Sequence, residues 1–173
     1  LFFSAAASDV FKGPAHFRCE SEPYCYDKVR RLLDYIPHYY GDELVQAAKY
    51  HFDAHKKTKH IEKILPENTR QGYDIREVIN DVTDDDSFFA VSQEFAINCV
   101  IGFAKIEGRS VGIVANNPAG MGGVLDCDAS DKIARHVRYC DAYNIPLLTF
   151  VDVPGFIPGP QEEQKGIIRH GAK

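Results

Sequence analysis

The chain has 173 residues, 45% of them apolar and 26% charged, with a formal net charge of −5 and a pI near 5.8. That length carries one sizeable core or parts of two, and the composition is that of an ordinary globular protein. The acidic balance argues against a nucleic-acid surface as the main function, and no apolar run approaches the ~20 residues of a membrane-spanning helix. An anionic small-molecule ligand stays open, because a local basic pocket can sit on an acidic protein.

Met121 is the single methionine, and Gly171-Ala-Lys173 runs out of a helical pattern without a stop signal. The chain therefore reads as an internal piece of a longer protein. Leu1 to Ser8 lacks the basic flank of a signal peptide. Cys19, Cys25, Cys99, Cys127 and Cys140 are odd in number and show no C-x-x-C spacing, so they read as free thiols rather than a disulfide framework or a zinc ribbon.

In chain order, Ser21-Glu22-Pro23 opens a helix with a cap, an acid and an early proline, and Pro37 stops it. Its expected apolar stripe is Val29, Leu32, Leu33 and Ile36. A more polar helix is expected from Asp42 to about Lys57, followed by a weakly periodic linker from His55 to Arg70. Asp74 caps the next helix, with Ile75, Val78 and Ile79 inward. Asp84-Asp-Asp86 reads as a solvated turn ahead of a strand. Cys99 to Ile106 and Arg109 to Ala115, joined by Glu107-Gly108, read as a β-hairpin. A helix from Ala129 to Tyr143 is expected to bury Ile133, Val137 and Cys140, opposite Asp131, Arg135 and Arg138. Leu147 to Val151 reads as a buried parallel strand. A loop then runs from Asp152 to Lys165, and a helix starts at Gly166. This element order makes the fold class α/β.

Val151-Asp-Val-Pro-Gly-Phe-Ile-Pro-Gly159 is the most informative segment, a proline- and glycine-rich turn straight after a strand. Ligands of open α/β sheets bind at such carboxyl ends, and on these residues alone a structural turn and a ligand loop are equally good readings. His51 and His55, at i and i+4 with His60 nearby, lack a third ligand and a second shell, so a solvated helix face is preferred to a metal site. Gly120-Met-Gly-Gly123 lacks the spacing and the lysine of a phosphate loop. His170 and Arg169 read equally as catalytic or as structural hydrogen-bonders.

Several segments occur in an order that resembles the carboxyltransferase (β) subunits of biotin-dependent acyl-CoA carboxylases, of the propionyl-CoA carboxylase and methylmalonyl-CoA decarboxylase kind. They are Gly72-Tyr-Asp-Ile-Arg-Glu-Val-Ile79, Phe88-Phe89, Gly102-Phe-Ala104, Val111-Gly-Ile-Val-Ala-Asn116, Gly123-Val-Leu-Asp126, Ala134 to Pro146, Val151 to Phe156 and Gly166-Ile-Ile-Arg-His-Gly-Ala-Lys173. Ala15-His-Phe17 and Leu32-Leu-Asp-Tyr-Ile-Pro37 resemble the end of that family's first half.

The resemblance implies a partial crotonase-like ββα superhelix. Residues 1–68 would be the C-terminal end of the N-terminal half plus linker, and 69–173 the beginning of the C-terminal half. It implies transfer of a carboxyl group between biotin and a short-chain acyl-CoA, propionyl-CoA favoured, with two backbone oxyanion holes stabilising the developing charges. The same resemblance allows a methylmalonyl-CoA decarboxylase, and a non-catalytic truncated paralogue acting as a scaffold is the alternative of another class.

Both oxyanion holes would lie outside this chain, which holds no catalytic residue and no metal ligand by this reading. Pro154, Gly155 and Phe156 would line the biotin side, Gly159 would turn the loop, and Gly166 would open the helix that brings Arg169 and His170 to the pocket or interface. Biotin would ride on a carrier domain of a biotin carboxylase or carrier partner, and the subunit would form a hexameric ring. The compartment would be cytoplasmic, or the mitochondrial matrix in a eukaryote. One departure stands out: where the family has glutamine after Pro-Gly-x-x, this chain has Glu162, preceded by Pro160.

Overall fold

The computed structural model describes residues 13, 15–39, 41–42, 61–68 and 71–173. Residues 43–57 of the helix expected from Asp42 to Lys57, the histidines His51, His55 and His60, and the segment Leu1 to Val10 lie outside the described residues.

Helix α1, Glu22–Leu33, starts as its sequence requires, with the Ser21 hydroxyl accepting from the Tyr24 N–H at 3.4 Å. The expected apolar stripe holds only in part: Leu32 packs half-buried against the core, but Val29 is 48% exposed and Leu33 63%. The deepest entry into the core is Tyr35, just past the helix, whose hydroxyl donates to the Ser87 carbonyl. Buried Lys105 holds this turn from below, donating to the Asp34 carbonyl at 2.9 Å and lying 5.0 Å over the Tyr35 ring. Within the expected linker, Ile61–Ile64 forms the short helix α2. Helix α3, Ile75–Val82, follows Asp74, whose carboxylate accepts from the Arg76 N–H at 3.0 Å, and it buries Ile75 and Ile79 as expected.

Four strands form one sheet in the order β1-β2-β3-β4: Phe89–Val91, Cys99–Ile106, Arg109–Asn116 and Leu147–Phe150. The first three are antiparallel, and β4 runs parallel to β3 from Gly112↔Leu147 to Ala115↔Phe150. The hairpin turn has φ 52° at Glu107 and 74° at Gly108, the left-handed pair that matches strand twist. Asp84 corrects the reading of a solvated turn. Its carboxylate is buried and accepts from the N–H groups of Glu107 at 3.1 Å and Gly108 at 2.8 Å, so it pins the hairpin.

Helix α4, Cys127–Ala142, is capped by Asp126 and lies on one face of the sheet. It comes close because Gly112 has no side chain: a Cβ there would fall 2.5 Å from the Cys140 sulfur. On that face Tyr35, Phe89, Ile101, Phe103 and Cys140 form one core, and α3 covers the other face over Val100, Ala104, Ile113 and Ala115. The result is a three-layer α/β sandwich.

Two expectations change at the C-terminal end. Strand β4 is parallel but not buried, because it is the outer strand of the sheet among the described residues; its side chains alternate between exposed and half-buried. The expected loop to Lys165 is shorter than its sequence suggested, since Pro160–Lys165 forms helix α5 with Pro160 in its first turn. Gly166, at φ 87°, closes α5 and opens α6, Ile167–Gly171.

Candidate functional site

At the carboxyl end of β4 the backbone leaves the sheet through Val151, 75% exposed, into the segment Asp152 to Gly159. Two anchors hold it. The Asp152 carboxylate accepts the Tyr73 hydroxyl at 2.7 Å, and burial together with this carboxylate pushes the Tyr73 phenol up to about 12. Further on, the Leu125 N–H donates to the Gly155 carbonyl at 3.0 Å and the Ile157 N–H to the Leu125 carbonyl at 2.9 Å. The loop is thus zipped alongside the segment entering α4. Gly120-Met-Gly-Gly123 serves this packing: it contains a 3-10 turn from Met121 to Gly123, where a Cβ on Gly123 would sit 2.8 Å from the Asp152 carbonyl.

Pro154 is exposed, and Phe156 is 47% exposed with its ring against Gly171 of α6. Gly155 has φ 143° and Gly159 φ 131°, backbone angles that disfavour any side chain, and open space lies where their Cβ atoms would be. The structure therefore gathers Pro154, Gly155, Phe156 and Gly159 into one exposed, side-chain-poor ridge, with α6 behind it. Gly166 lies at the junction of α5 and α6, and Arg169 is exposed beside it.

His170 is engaged elsewhere: its Nδ1 is 2.9 Å from the Asp131 carboxylate, which Lys173 also meets at 2.6 Å. Burial would raise the Asp131 carboxyl, but these two partners hold it below its ordinary value. His170 thus ties α6 to α4. Glu162 has a comparable task, accepting from the Cys127 N–H at 3.2 Å and pairing with Lys165 at 2.6 Å. The acid at the family's glutamine position acts at the N-terminus of α4, where a negative charge is favoured.

None of these residues lines the cavity of about 680 Å³ between α1 and α4, which is walled by Phe17, Leu32, Phe95, Phe103 and Tyr139 with Lys132 and His136. Sequence reading missed both of these buried polar groups. Burial lowers the His136 imidazole from 6.5 to about 4. The folded chain then keeps His136 neutral while the unfolded chain takes a proton below 6.5. Its contribution to stability is complete above 6.5 and is lost as the pH falls toward 4, an effect of about 3 kcal/mol. Urea midpoints of the wild type should fall between pH 7 and 4, and His136→Gln should flatten most of that slope. A smaller slope should remain from His16, also lowered by burial and then by Arg135.

The carboxyl transferase domain profile matches residues 7–173. The chain is 47% identical over 161 residues to the propionyl-CoA carboxylase carboxyltransferase subunit of Haloferax mediterranei, covering 93% of this chain and 31% of the relative. It is 42% identical over 171 residues to the methylmalonyl-CoA decarboxylase subunit alpha of Veillonella parvula, covering 98% and 33%. Among solved structures, a transcarboxylase 12S hexamer with methylmalonyl-coenzyme A and methylmalonic acid bound superposes with a TM-score of 0.91 at 41% identity, over 96% of this chain and 32% of that one. The chain thus spans about a third of the length of the relatives it matches.

Proposed function

The chain belongs to the carboxyl transferase domain family, and from that premise we propose that the whole protein moves a carboxyl group between biotin and a short-chain acyl-CoA, with propionyl-CoA favoured. The observation that carries the reading is the ridge from Pro154 to Gly159, set at the carboxyl end of a parallel strand in a chain 47% identical to a propionyl-CoA carboxylase carboxyltransferase subunit. Biotin, when bound, supplies the nitrogen that carries the carboxyl group.

The residues present fit that cofactor: a half-exposed aromatic ring at Phe156 and open space over Gly155 and Gly159 suit an uncharged fused ring. Pro154, Gly155 and Phe156 would form its wall and exclude water. The Tyr73–Asp152 hydrogen bond and the Leu125 pairing would keep that wall from moving, so that little reorganisation accompanies the reaction. Arg169 and His170 would stand at the pocket rim or subunit interface. The chain divides, on this reading, into the end of one carboxyltransferase half before about residue 69 and the start of the other after it.

Biotin would arrive on the carrier of a partner subunit, and a hexameric ring is supported by likeness to transcarboxylase 12S. A cytoplasmic location fits relatives such as that of Haloferax mediterranei. Among the described residues no helix is long and apolar enough to cross a membrane. The likeness to a methylmalonyl-CoA decarboxylase subunit supports a second reading, the same transfer run toward decarboxylation. The test supplies the full-length protein with carboxybiotin, made in place from free biotin, ATP and bicarbonate by a biotin carboxylase, and offers acetyl-CoA or propionyl-CoA as acceptor; the reverse arm offers free biotin to methylmalonyl-CoA. Turnover highest with propionyl-CoA as acceptor is the expected result, transfer from methylmalonyl-CoA without measurable carboxylation of propionyl-CoA favours the second reading, and inactivity in every arm contradicts both.

A further inference from the structure

We propose that Gly171 is a positioning residue: the space left by its missing side chain seats the Phe156 ring against α6 and so sets the surface that meets biotin. The consequence for the reaction rests on the ridge from Pro154 to Gly159 being the biotin wall.

A glycine inside a helix weakens it, and the usual compensation is a left-handed turn. Gly171 has no such turn to make, since it is the last residue of α6 and does not take a positive φ. What requires it is the neighbouring ring. A Cβ at this position would lie 2.8 Å from both Cε1 and Cζ of Phe156, well inside the roughly 3.5–4.0 Å of an ordinary carbon contact.

Neither backbone can step aside. Helix α6 is rooted by buried Ile167 and clamped to α4 at Asp131, which His170 meets at 2.9 Å and Lys173 at 2.6 Å. The Phe156 backbone is bridged to Leu125, with the Ile157 N–H on the Leu125 carbonyl at 2.9 Å. The ring is the free member, because Phe156 is 47% exposed. A side chain at residue 171 therefore turns the ring away from α6, toward the solvent side on which biotin would lie. The fold survives this crowding and the ligand surface does not.

Alanine separates the two roles. It is the better helix former, so a merely structural glycine predicts an unchanged or higher urea midpoint and unchanged kinetics in Gly171→Ala. Leucine at residue 156 supplies the control. It lacks Cε1 and Cζ, and the Cδ1 level of the present side chain is 3.8 Å from the added Cβ, an ordinary contact.

The full-length wild type, Gly171→Ala, Phe156→Leu and the double variant would be compared with methylmalonyl-CoA as donor and free biotin as acceptor, and the Gly171→Ala protein crystallised. The expected result for Gly171→Ala is an undiminished urea midpoint, an unchanged KM for methylmalonyl-CoA and a loss of at least about fivefold in kcat/KM for biotin. Its crystal structure should show the Phe156 ring about 1 Å or more farther from α6. In the Phe156→Leu background the same alanine should change kcat/KM for biotin by less than about twofold. A ring that stays in place, an equal loss in both backgrounds, or a lowered urea midpoint with equal losses for both substrates would each overturn the positioning role. A displaced ring with unchanged biotin kinetics would uphold it and remove Phe156 from the biotin wall.

Discussion

Replacing Lys132 by alanine is expected to cost the fold about 3–5 kcal/mol, read as a fall in the urea midpoint of the full-length protein. Lys132 is 4% exposed, yet its ammonium donates to the carbonyls of Phe95 at 2.6 Å, Ala96 at 3.1 Å and Cys99 at 2.8 Å. It gathers a turn in which Ser92 and Ala96 both adopt positive φ, angles that a non-glycine residue holds only when its surroundings impose them. Without the ammonium, three inward carbonyls lose their donor and the turn into β2 loses its clamp. Lys132→Met, which keeps the apolar stem, should be nearly as damaging, because the hydrogen bonds and not the packing carry the effect. A loss below about 1 kcal/mol in both variants would show that the turn holds itself.

The second large effect is expected at Gly155. A valine there must either adopt φ near 143° or force the loop to another path. Open space surrounds the position, so the damage comes from backbone conformation and from intrusion on the ligand side, not from a clash inside the protein. The Gly155→Val full-length enzyme should keep its fold and its KM for acyl-CoA but lose at least about tenfold in kcat/KM for free biotin. An unchanged biotin dependence would remove Gly155 from the biotin wall.

The hairpin, the α3 face and the parallel pairing of β4 were legible because each rests on a local rule: a left-handed turn at Glu107-Gly108, an N-cap at Asp74, and an apolar run after a proline stop. The face of α4 was legible only in part. Cys140 is buried and Ile133 packs half-buried against the core as expected, Val137 is half-buried, and the stripe also takes in Ala129, Lys132 and His136. The spacing is helical, but a lysine and a histidine occupy core positions, where carbonyls of a distant turn and the ring of Phe103 meet them. Asp84 hid for the same reason, since the two hairpin N–H groups that bury it lie more than twenty residues on. For α1, Val29 and Leu33 have the period of a core stripe but face outward, and the inward anchor is Tyr35 past the helix end. Of the candidate site, the Val151 to Gly159 loop stood out by composition. What fixes it, Tyr73 and Leu125, is near in space only.

The most direct test of the central claim is amide hydrogen exchange of the full-length protein over residues 152–159, with and without biotin. The account predicts that biotin slows exchange in this loop while propionyl-CoA alone leaves it unchanged. Protection by propionyl-CoA alone, or no protection by biotin, would contradict it.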